Sequence, residues 1–436
     1  MALVSRSAQR GSRVLIGAVT LLAGGLAAAQ TNSTPLTLDD CIRLALAAPS
    51  TLTAAQQEID IAQYGLRQAR AGFLPQTQLG NGFTYNSPLA GSPDQFSFIA
   101  LNGIREYASQ FTVLQEFDTS GRLRAALARA RADRSAAVAS AGMARRDLRR
   151  AVTAAYYQLL VARRMVAVSR EALEEARSFE RGARLLAANG EAAQADVVKA
   201  AAHAAFLEQS QRAAELEAEI ANHELASFWT QDAREPLAVE DVLDRAVPPP
   251  ETPAPAAGRL FLRRPEFNFS EARRQGFLAD ARQARAQLLP QVNLVFQYGI
   301  DSLHVRAGDR GYAAFINLNI PVFDWFRARS QARQSELRAS QVEVTRSAAA
   351  RVFSKDYENA LARVRLIYDQ IAATSAQVQL SEESLRLSRL RYDEGEGSAL
   401  DVVAAQAQVV QARSNRYASI AAYLNARADL EVASGR

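Results

Sequence analysis

The feature that most constrains this chain of 436 residues is an internal duplication. Residues 67–79 read RQARAGFLPQTQL and residues 282–294 read RQARAQLLPQVNL, with nine of the thirteen positions identical. Two further matches follow in the same order: Phe117-Asp118 with Phe323-Asp324, and residues 190–198 with 395–403. Matches that recur in one order indicate a structural unit that is present twice.

The two copies are separated by a change in composition. Six of the 14 prolines lie between Pro236 and Pro255, and such a density excludes a helix interior. We therefore assign residues 30–235 to a first repeat, residues 236–261 to a Pro-rich inter-repeat linker and residues 262–436 to a second repeat.

Residues 1–29 have the pattern of a secretory signal peptide. Basic residues without any acid precede an apolar stretch that starts at Val14, and the segment ends in Ala27-Ala28-Ala29. The apolar run is shorter than the ~20 residues that span a bilayer, which disfavours the alternative of a membrane anchor. Without this segment 48 basic residues face 46 acidic ones, so we expect no nucleic-acid partner.

Each repeat contains a long segment without proline, roughly residues 122–188 in the first and 326–394 in the second. Apolar residues recur there every seven positions: Val152, Leu159, Val166 and Leu173, and then Tyr357, Val364, Ile371, Val378, Leu385 and Tyr392. This period is typical of helices that supercoil with neighbours. About 65 residues at ~1.5 Å each give a rod on the order of 100 Å, which bridges a distance.

Four shorter segments, residues 77–85, 107–117, 292–300 and 314–322, alternate between apolar and polar side chains. The apolar face that we expect to meet lipid carries Leu79, Phe83, Tyr85, Tyr107, Phe111, Val113, Leu294, Phe296, Tyr298, Ile316 and Leu318. About 9–11 residues is the length of a tilted transmembrane strand, and the polar face would then line water. A soluble sheet packed on helices is the alternative. Pro321 requires a position at a strand end or edge.

Four strands are too few to close a membrane barrel. An open edge in lipid leaves backbone groups without hydrogen bonds, and small barrels have about eight strands or more. Two chains would supply eight strands and three chains twelve. The sequence therefore predicts an oligomer of identical chains.

The chain resembles the TolC-like outer-membrane efflux protein family, also called outer membrane factors. The resemblance is carried by residues 36–46, by the helix-to-strand junctions at 70–75 and 285–290, by residues 264–266 and 319–323, and above all by residues 391–406. It implies a mainly α protein with a membrane β-barrel part. Three chains would form a twelve-stranded barrel in the cell outer membrane, continued by an α-helical barrel in the periplasm.

The resemblance also implies a function and partners. The homotrimer would be the exit duct of a tripartite efflux or export system, a passive conduit in outer-membrane lipid. A periplasmic adaptor protein would link it to an inner-membrane pump. A periplasmic coiled-coil scaffold without a barrel is the alternative that the seven-residue repeats alone would allow.

The helical tips supply the candidate site. Gly190, Gly395 and Gly397 would let the chain reverse there, and Arg391 would take part in adaptor docking. The resemblance implies that the tips form a gate, with Tyr392 and Asp196 at the positions of gate residues. Asp401 holds the equivalent place in the second tip, so all three would surround the periplasmic aperture. Six carboxylates from three chains would then attract cations. Alternatively, both aspartates only complement the dipoles of the helices that they begin.

The sequence contains few residues that could support catalysis. Cys41 is the single cysteine, the three histidines are widely spaced, and no nucleotide, metal or nucleophile motif occurs. We therefore expect no catalytic activity, no cofactor and no bound metal.

Overall fold

The computed structural model describes residues 35–96, 104–250 and 260–435. The residues from Leu36 onward form one compact unit. The predicted signal peptide, residues 1–29, lies outside the described residues, as do residues 251–259 of the proposed linker.

The same order of elements occurs in both halves of the chain. The first half contains α1 (Leu38–Ala47), α2 (Thr51–Ala71), β1 (Gln76–Tyr85), β2 (Pro88–Leu89), β3 (Ser92–Phe96), β4 (Arg105–Phe117), α3 (Arg122–Ala188) and α4 (Gln194–Ala226). The second half contains α5 (Pro265–Ala286), β5 (Gln291–Ser302), a short 3-10 helix (Ala307–Asp309), β6 (Arg310–Asn319), α6 (Arg327–Asp393) and α7 (Ala399–Ala433). The small ribbon of β2 and β3 was not predicted.

The long helices α3 and α6 begin in the same way. The Leu123 N–H donates to Asp118 Oδ1 at 2.8 Å, and the Ala328 N–H donates to Asp324 Oδ2 at 2.8 Å. The first turn of a helix has N–H groups without intrahelical acceptors, and these carboxylates satisfy some of them. The Phe-Asp pair that recurs in the sequence therefore marks the start of each long helix.

The seven-residue stripes of α3 and α6 face into the protein, with Val152, Leu159, Val364 and Leu385 among the buried side chains. Near the strands, α3 packs against α2 and α5, and α6 packs against α5. Toward the other end, α3 packs against α4 and α7, and α6 packs against α7. Helices α2 and α4 therefore form one side of the protomer, and α6 forms the other side. None of the described helices is both long and apolar enough to cross a bilayer.

The four longer strands form one antiparallel sheet in the order β1-β4-β5-β6. The pairing of β4 with β5 joins the two halves of the chain, and β1 and β6 are its edges. The prediction of a fourth strand over residues 314–322 was wrong in its bounds, because β6 ends at Asn319. Pro321 has no N–H to donate to a ladder, so the strand ends before it.

The largest buried cluster combines α1, the middle of α3, the end of α4, part of α7 and the segment around Leu237 and Leu243. The Tyr156 hydroxyl donates to the Glu240 carbonyl at 2.7 Å, and the Tyr423 hydroxyl donates to the Pro248 carbonyl at 2.7 Å. The described part of the Pro-rich segment is therefore packed onto α3 and α7.

Candidate functional site

The turns that join each long helix to its returning helix share one backbone geometry. We call residues 186–199 the first tip and residues 391–404 the second tip. Gly190 and Gly395 have φ of 80° and 76°, a region that favours glycine. The Glu191 N–H donates to the Leu186 carbonyl at 2.9 Å, and the Glu396 N–H donates to the Arg391 carbonyl at 2.8 Å. Both turns are Schellman motifs, which satisfy carbonyls at the end of a helix.

Gly397 contributes space rather than a left-handed backbone. A Cβ atom at this position would lie 3.0 Å from the Tyr392 nitrogen, closer than ordinary contacts allow. The Gly397 N–H also donates to the Arg391 carbonyl at 2.9 Å. Gly395 therefore provides the conformation that reverses the chain at the second tip. Gly397 lets the backbone that follows pass close to the end of α6.

Asp401 is part of a helix cap at the second tip. The Asp401 N–H donates to Ser398 Oγ at 3.2 Å, and the Ser398 hydroxyl and N–H donate to Asp401 Oδ2 at 2.9 and 3.2 Å. This is a capping box at the start of α7. The Ser398 hydrogen bonds hold the pKa of Asp401 below its ordinary value, so the exposed carboxylate stays ionised.

Asp196, its counterpart in the first tip, has different partners. Ala193 stands where the second tip has Ser398, so α4 begins without a side-chain cap. The Asp196 carboxylate instead forms an ion pair with Lys199 at 3.3 Å and is half-buried. Position 404, which corresponds to Lys199, is alanine in the second tip.

Tyr392, at the start of the second tip, is buried in a cluster to which both tips contribute. Its ring meets the Phe179 ring edge to face, with the centroids 5.0 Å apart, in a cluster that includes Val197 and Val402 from the two returning helices. Burial, with the Asp196 carboxylate as the next cause, raises the pKa of Tyr392. Its hydroxyl and the amide of buried Gln406 have no hydrogen-bond partner among the described residues.

The structure thus brings Tyr392 and Asp196 together and separates the roles of the two aspartates. Three contributors were missed from the sequence, namely Phe179, Lys199 and Ser398. Two of them carried a signal. Ser398 lies three residues before Asp401, the spacing of a capping box, and Lys199 lies three residues after Asp196, the spacing of a helical ion pair. Arg391, expected to take part in adaptor docking, donates a long hydrogen bond of 3.4 Å to the Glu396 carbonyl.

The second candidate surface is the apolar face of the sheet. The observed register places all eleven predicted lipid-facing side chains on one face, because Leu79 pairs with Phe111, Phe111 with Tyr298, and Val113 with Phe296. Leu79 is 66% exposed and Ile316 is 77% exposed, so large apolar groups have no cover within the protomer. Tyr312, which pairs with Tyr298, lies on the same face and was missed.

The opposite face is mostly polar. The Gln110 amide donates to Asp301 Oδ2 at 3.0 Å across β4 and β5. Gln78, Thr112, Gln297 and Asn317 share this face by register. One row departs from the pattern, since Leu114, Val295 and Phe315 are adjacent there. The sheet therefore has one face suited to lipid and one suited to water.

Within the described residues, no cluster of three or more histidine, cysteine or acidic side chains could hold a metal ion. Cys41 is a free, buried thiol, and burial raises its pKa to about 11, so it is a poor nucleophile.

A family model described as outer membrane efflux protein matches residues 41–230 and 257–436. Outer membrane protein OprJ of Pseudomonas aeruginosa is 27% identical over 161 residues, which are 36% of this chain and 33% of OprJ. The match therefore spans about a third of that relative's length. Protein CyaE of Bordetella pertussis is 26% identical over 412 residues, 90% of this chain and 82% of CyaE.

The fold also matches solved structures. The outer membrane protein VceC of Vibrio cholerae superposes with a TM-score of 0.79 at 20% identity, over 91% of this chain and 96% of VceC. The fold class predicted from the sequence is therefore confirmed.

Proposed function

Because the chain belongs to the outer membrane efflux protein family, we propose that it is the exit duct of a tripartite efflux or export system. Three copies would assemble into a channel through the outer membrane, with the helices in the periplasm. Solutes would pass through it without a catalytic step. A periplasmic adaptor and an inner-membrane pump would deliver them.

The observation that carries this proposal is the sheet, with its apolar face and its two free edges. The edge strands β1 and β6 are ten residues each and run antiparallel, so β6 of one copy can pair with β1 of the next. Such pairing gives hydrogen-bond partners to edge N–H and C=O groups that would have none in lipid. Three copies of four strands give twelve, enough for an open bore.

The helices offer matching surfaces for the same assembly. Large apolar side chains remain exposed at the two sides of the protomer: Ile61 and Tyr64 on α2, Val198, Phe206 and Leu216 on α4, and Val344, Leu366 and Leu380 on α6. A helix that presents such a stripe needs a partner helix. We infer that α6 of one copy packs against α2 and α4 of its neighbour. The scaffold alternative accounts for these stripes but not for the apolar sheet face.

The tips would form the periplasmic aperture. Three copies bring three first tips and three second tips around one axis, with Asp196 and Asp401 near the opening. The unpaired hydroxyl of Tyr392 and amide of Gln406 favour a tip that can open, because separation lets water reach both groups. Gly190, Gly395 and Arg391 would shape the surface that meets the adaptor.

A pair of substitutions tests the lipid-facing assignment. Phe111→Arg places a charge at mid-strand on the apolar face and should cost about 2–4 kcal/mol if it lies at the bilayer midplane. Gln110→Arg is the matched control, because its neighbour Asp301 on the polar face can accept the new charge. We expect assembly in outer-membrane vesicles to fail only for Phe111→Arg. Equal defects would contradict the assignment of the two faces.

A further inference from the structure

An arginine-rich cleft lies where α1, the middle of α3, the start of α5 and the end of α7 meet. Its volume is about 710 Å³, within the range of small-molecule sites. Six guanidinium groups line it: Arg145, Arg146, Arg149, Arg150, Arg263 and Arg427. Among the described residues, only two carboxylates line it, those of Asp39 and Glu431.

Two of the six arginines are neutralised by acids of the protein. Arg146 pairs with Glu266 at 2.9 Å and with Asp147 at 2.9 Å, and burial of its side chain makes these contacts structural. Arg150 pairs with Asp429 and also donates to Asn425. These pairs fix α3 to the start of α5 and to α7, and they explain the presence of two guanidinium groups.

The other four arginines are not neutralised in this way. Among the residues that the structure describes, no carboxylate oxygen lies within 4.0 Å of Arg145, Arg149, Arg263 or Arg427, so even Asp39 and Glu431 form no ion pair with them. Arg145 and Arg149 are one turn apart on α3, a spacing at which like charges destabilise a helix. Arg145, Arg149 and Arg263 are exposed to solvent, so their guanidinium groups can donate to an anion that enters the cleft.

The start of α5 adds to the positive electrostatic potential of this cleft. Pro265 and Asn268, in the first turn of this 22-residue helix, line the cleft. The N-terminus of a helix carries a partial positive charge that favours anions, and the Glu266 carboxylate of this turn is already paired with Arg146 and Arg264. The cations that line the cleft within the described part of the chain are all arginines, whose planar forks bind carboxylate and phosphate oxygens in pairs.

We propose that this cleft binds a small anion that carries two or more carboxylate or phosphate groups. It lies apart from the tips and the sheet, and it is formed by α1, α3, α5 and α7 rather than by the exposed apolar stripes of α2, α4 and α6. None of its lining residues belongs to these stripes, and the proposal stands whether or not the tips form a gate.

The test uses the mature protein in detergent, titrated by calorimetry at constant ionic strength. Citrate is the polycarboxylate probe, pyrophosphate is the phosphate probe, and acetate is the control with a single charge. We expect one saturable site per chain for at least one of the two polyanions, with acetate at least tenfold weaker. Saturation by citrate alone or by pyrophosphate alone identifies which of the two groups the site prefers.

Arg145→Gln combined with Arg149→Gln should weaken binding about tenfold or more while leaving helical content unchanged, because neither side chain forms an ion pair with another described residue. Arg131→Gln combined with Arg134→Gln removes the same charge from exposed positions of α3 outside the cleft and should leave binding intact. If the first variant does not fold, Arg427→Gln replaces it. Absence of saturation, equal binding of acetate, or equal loss in the control variant overturns the proposal.

Discussion

The first and second tips have one backbone and two different arrangements of charge. Both turns reverse at a left-handed glycine, with the same pair of backbone hydrogen bonds. At the second tip, Ser398 caps the returning helix and Asp401 has no lysine beside it. At the first tip, Ala193 provides no cap and Lys199 neutralises Asp196. Duplication has thus kept the turn and changed its electrostatics, because the turn depends on φ and the charge depends on single side chains.

The largest expected effect concerns Tyr392, since the corresponding residue of the first tip is Ala187. Tyr392→Ala removes the ring that packs on Phe179 and should destabilise the tip region by about 3–5 kcal/mol. We expect higher single-channel conductance in planar bilayers. Tyr392→Phe is the control, because it keeps the ring and removes only an unpaired hydroxyl. A conductance increase in both variants would contradict a role for the ring.

The second prediction separates the two aspartates. Asp401→Asn should lower cation selectivity more than Asp196→Asn, because Lys199 pairs with Asp196 at 3.3 Å, whereas Arg391 acts on Asp401 without forming an ion pair. Lys199→Ala, which copies Ala404 of the second tip, should raise cation selectivity. Reversal potentials in a salt gradient measure all three. An equal loss of cation selectivity in both asparagine variants would mean that the Asp196–Lys199 ion pair does not determine the electrostatic potential at the aperture.

The smallest effect concerns the helix caps. Ser398→Ala should destabilise the start of α7 by about 1 kcal/mol, and Ala193→Ser should stabilise the start of α4 by a similar amount. Hydrogen exchange of the amides near residues 194–196 and 399–401 reports both changes. Faster exchange at the second tip and slower exchange at the first are expected. Unchanged exchange in Ser398→Ala would show that the cap contributes nothing in solution.

The long-range features of the fold were predictable because they depend on periodic patterns. The stretches without proline indicated the bounds of α3 and α6 to within a residue, their seven-residue repeats indicated packed helices, and the alternation of side chains assigned the eleven residues of the apolar face. Register cannot slip in such a strand without moving every apolar side chain to the other face. Both predictions therefore depended on many residues at once.

Features set by single residues were predicted less well. Phe326, at the start of α6, adopts φ of 62° where the first repeat has Gly121 at 80°, and nothing in an aromatic side chain signals that conformation. The fourth strand was extended too far because alternation continued through Ile320 and Val322 although Pro321 cannot donate to a ladder. The unequal tips depend on Ser398 and Lys199, whose spacings to the two aspartates carried a signal, but a comparison of the two repeats misses them because the duplication preserves neither residue.

The central claim is that this protomer is incomplete by itself, and the molecular mass of the detergent-extracted mature protein tests it most directly. Four strands with two free edges, together with apolar stripes on α2, α4 and α6, predict particles of three chains when light scattering is corrected for detergent. A stable monomer that retains full helical content after extraction would contradict the account.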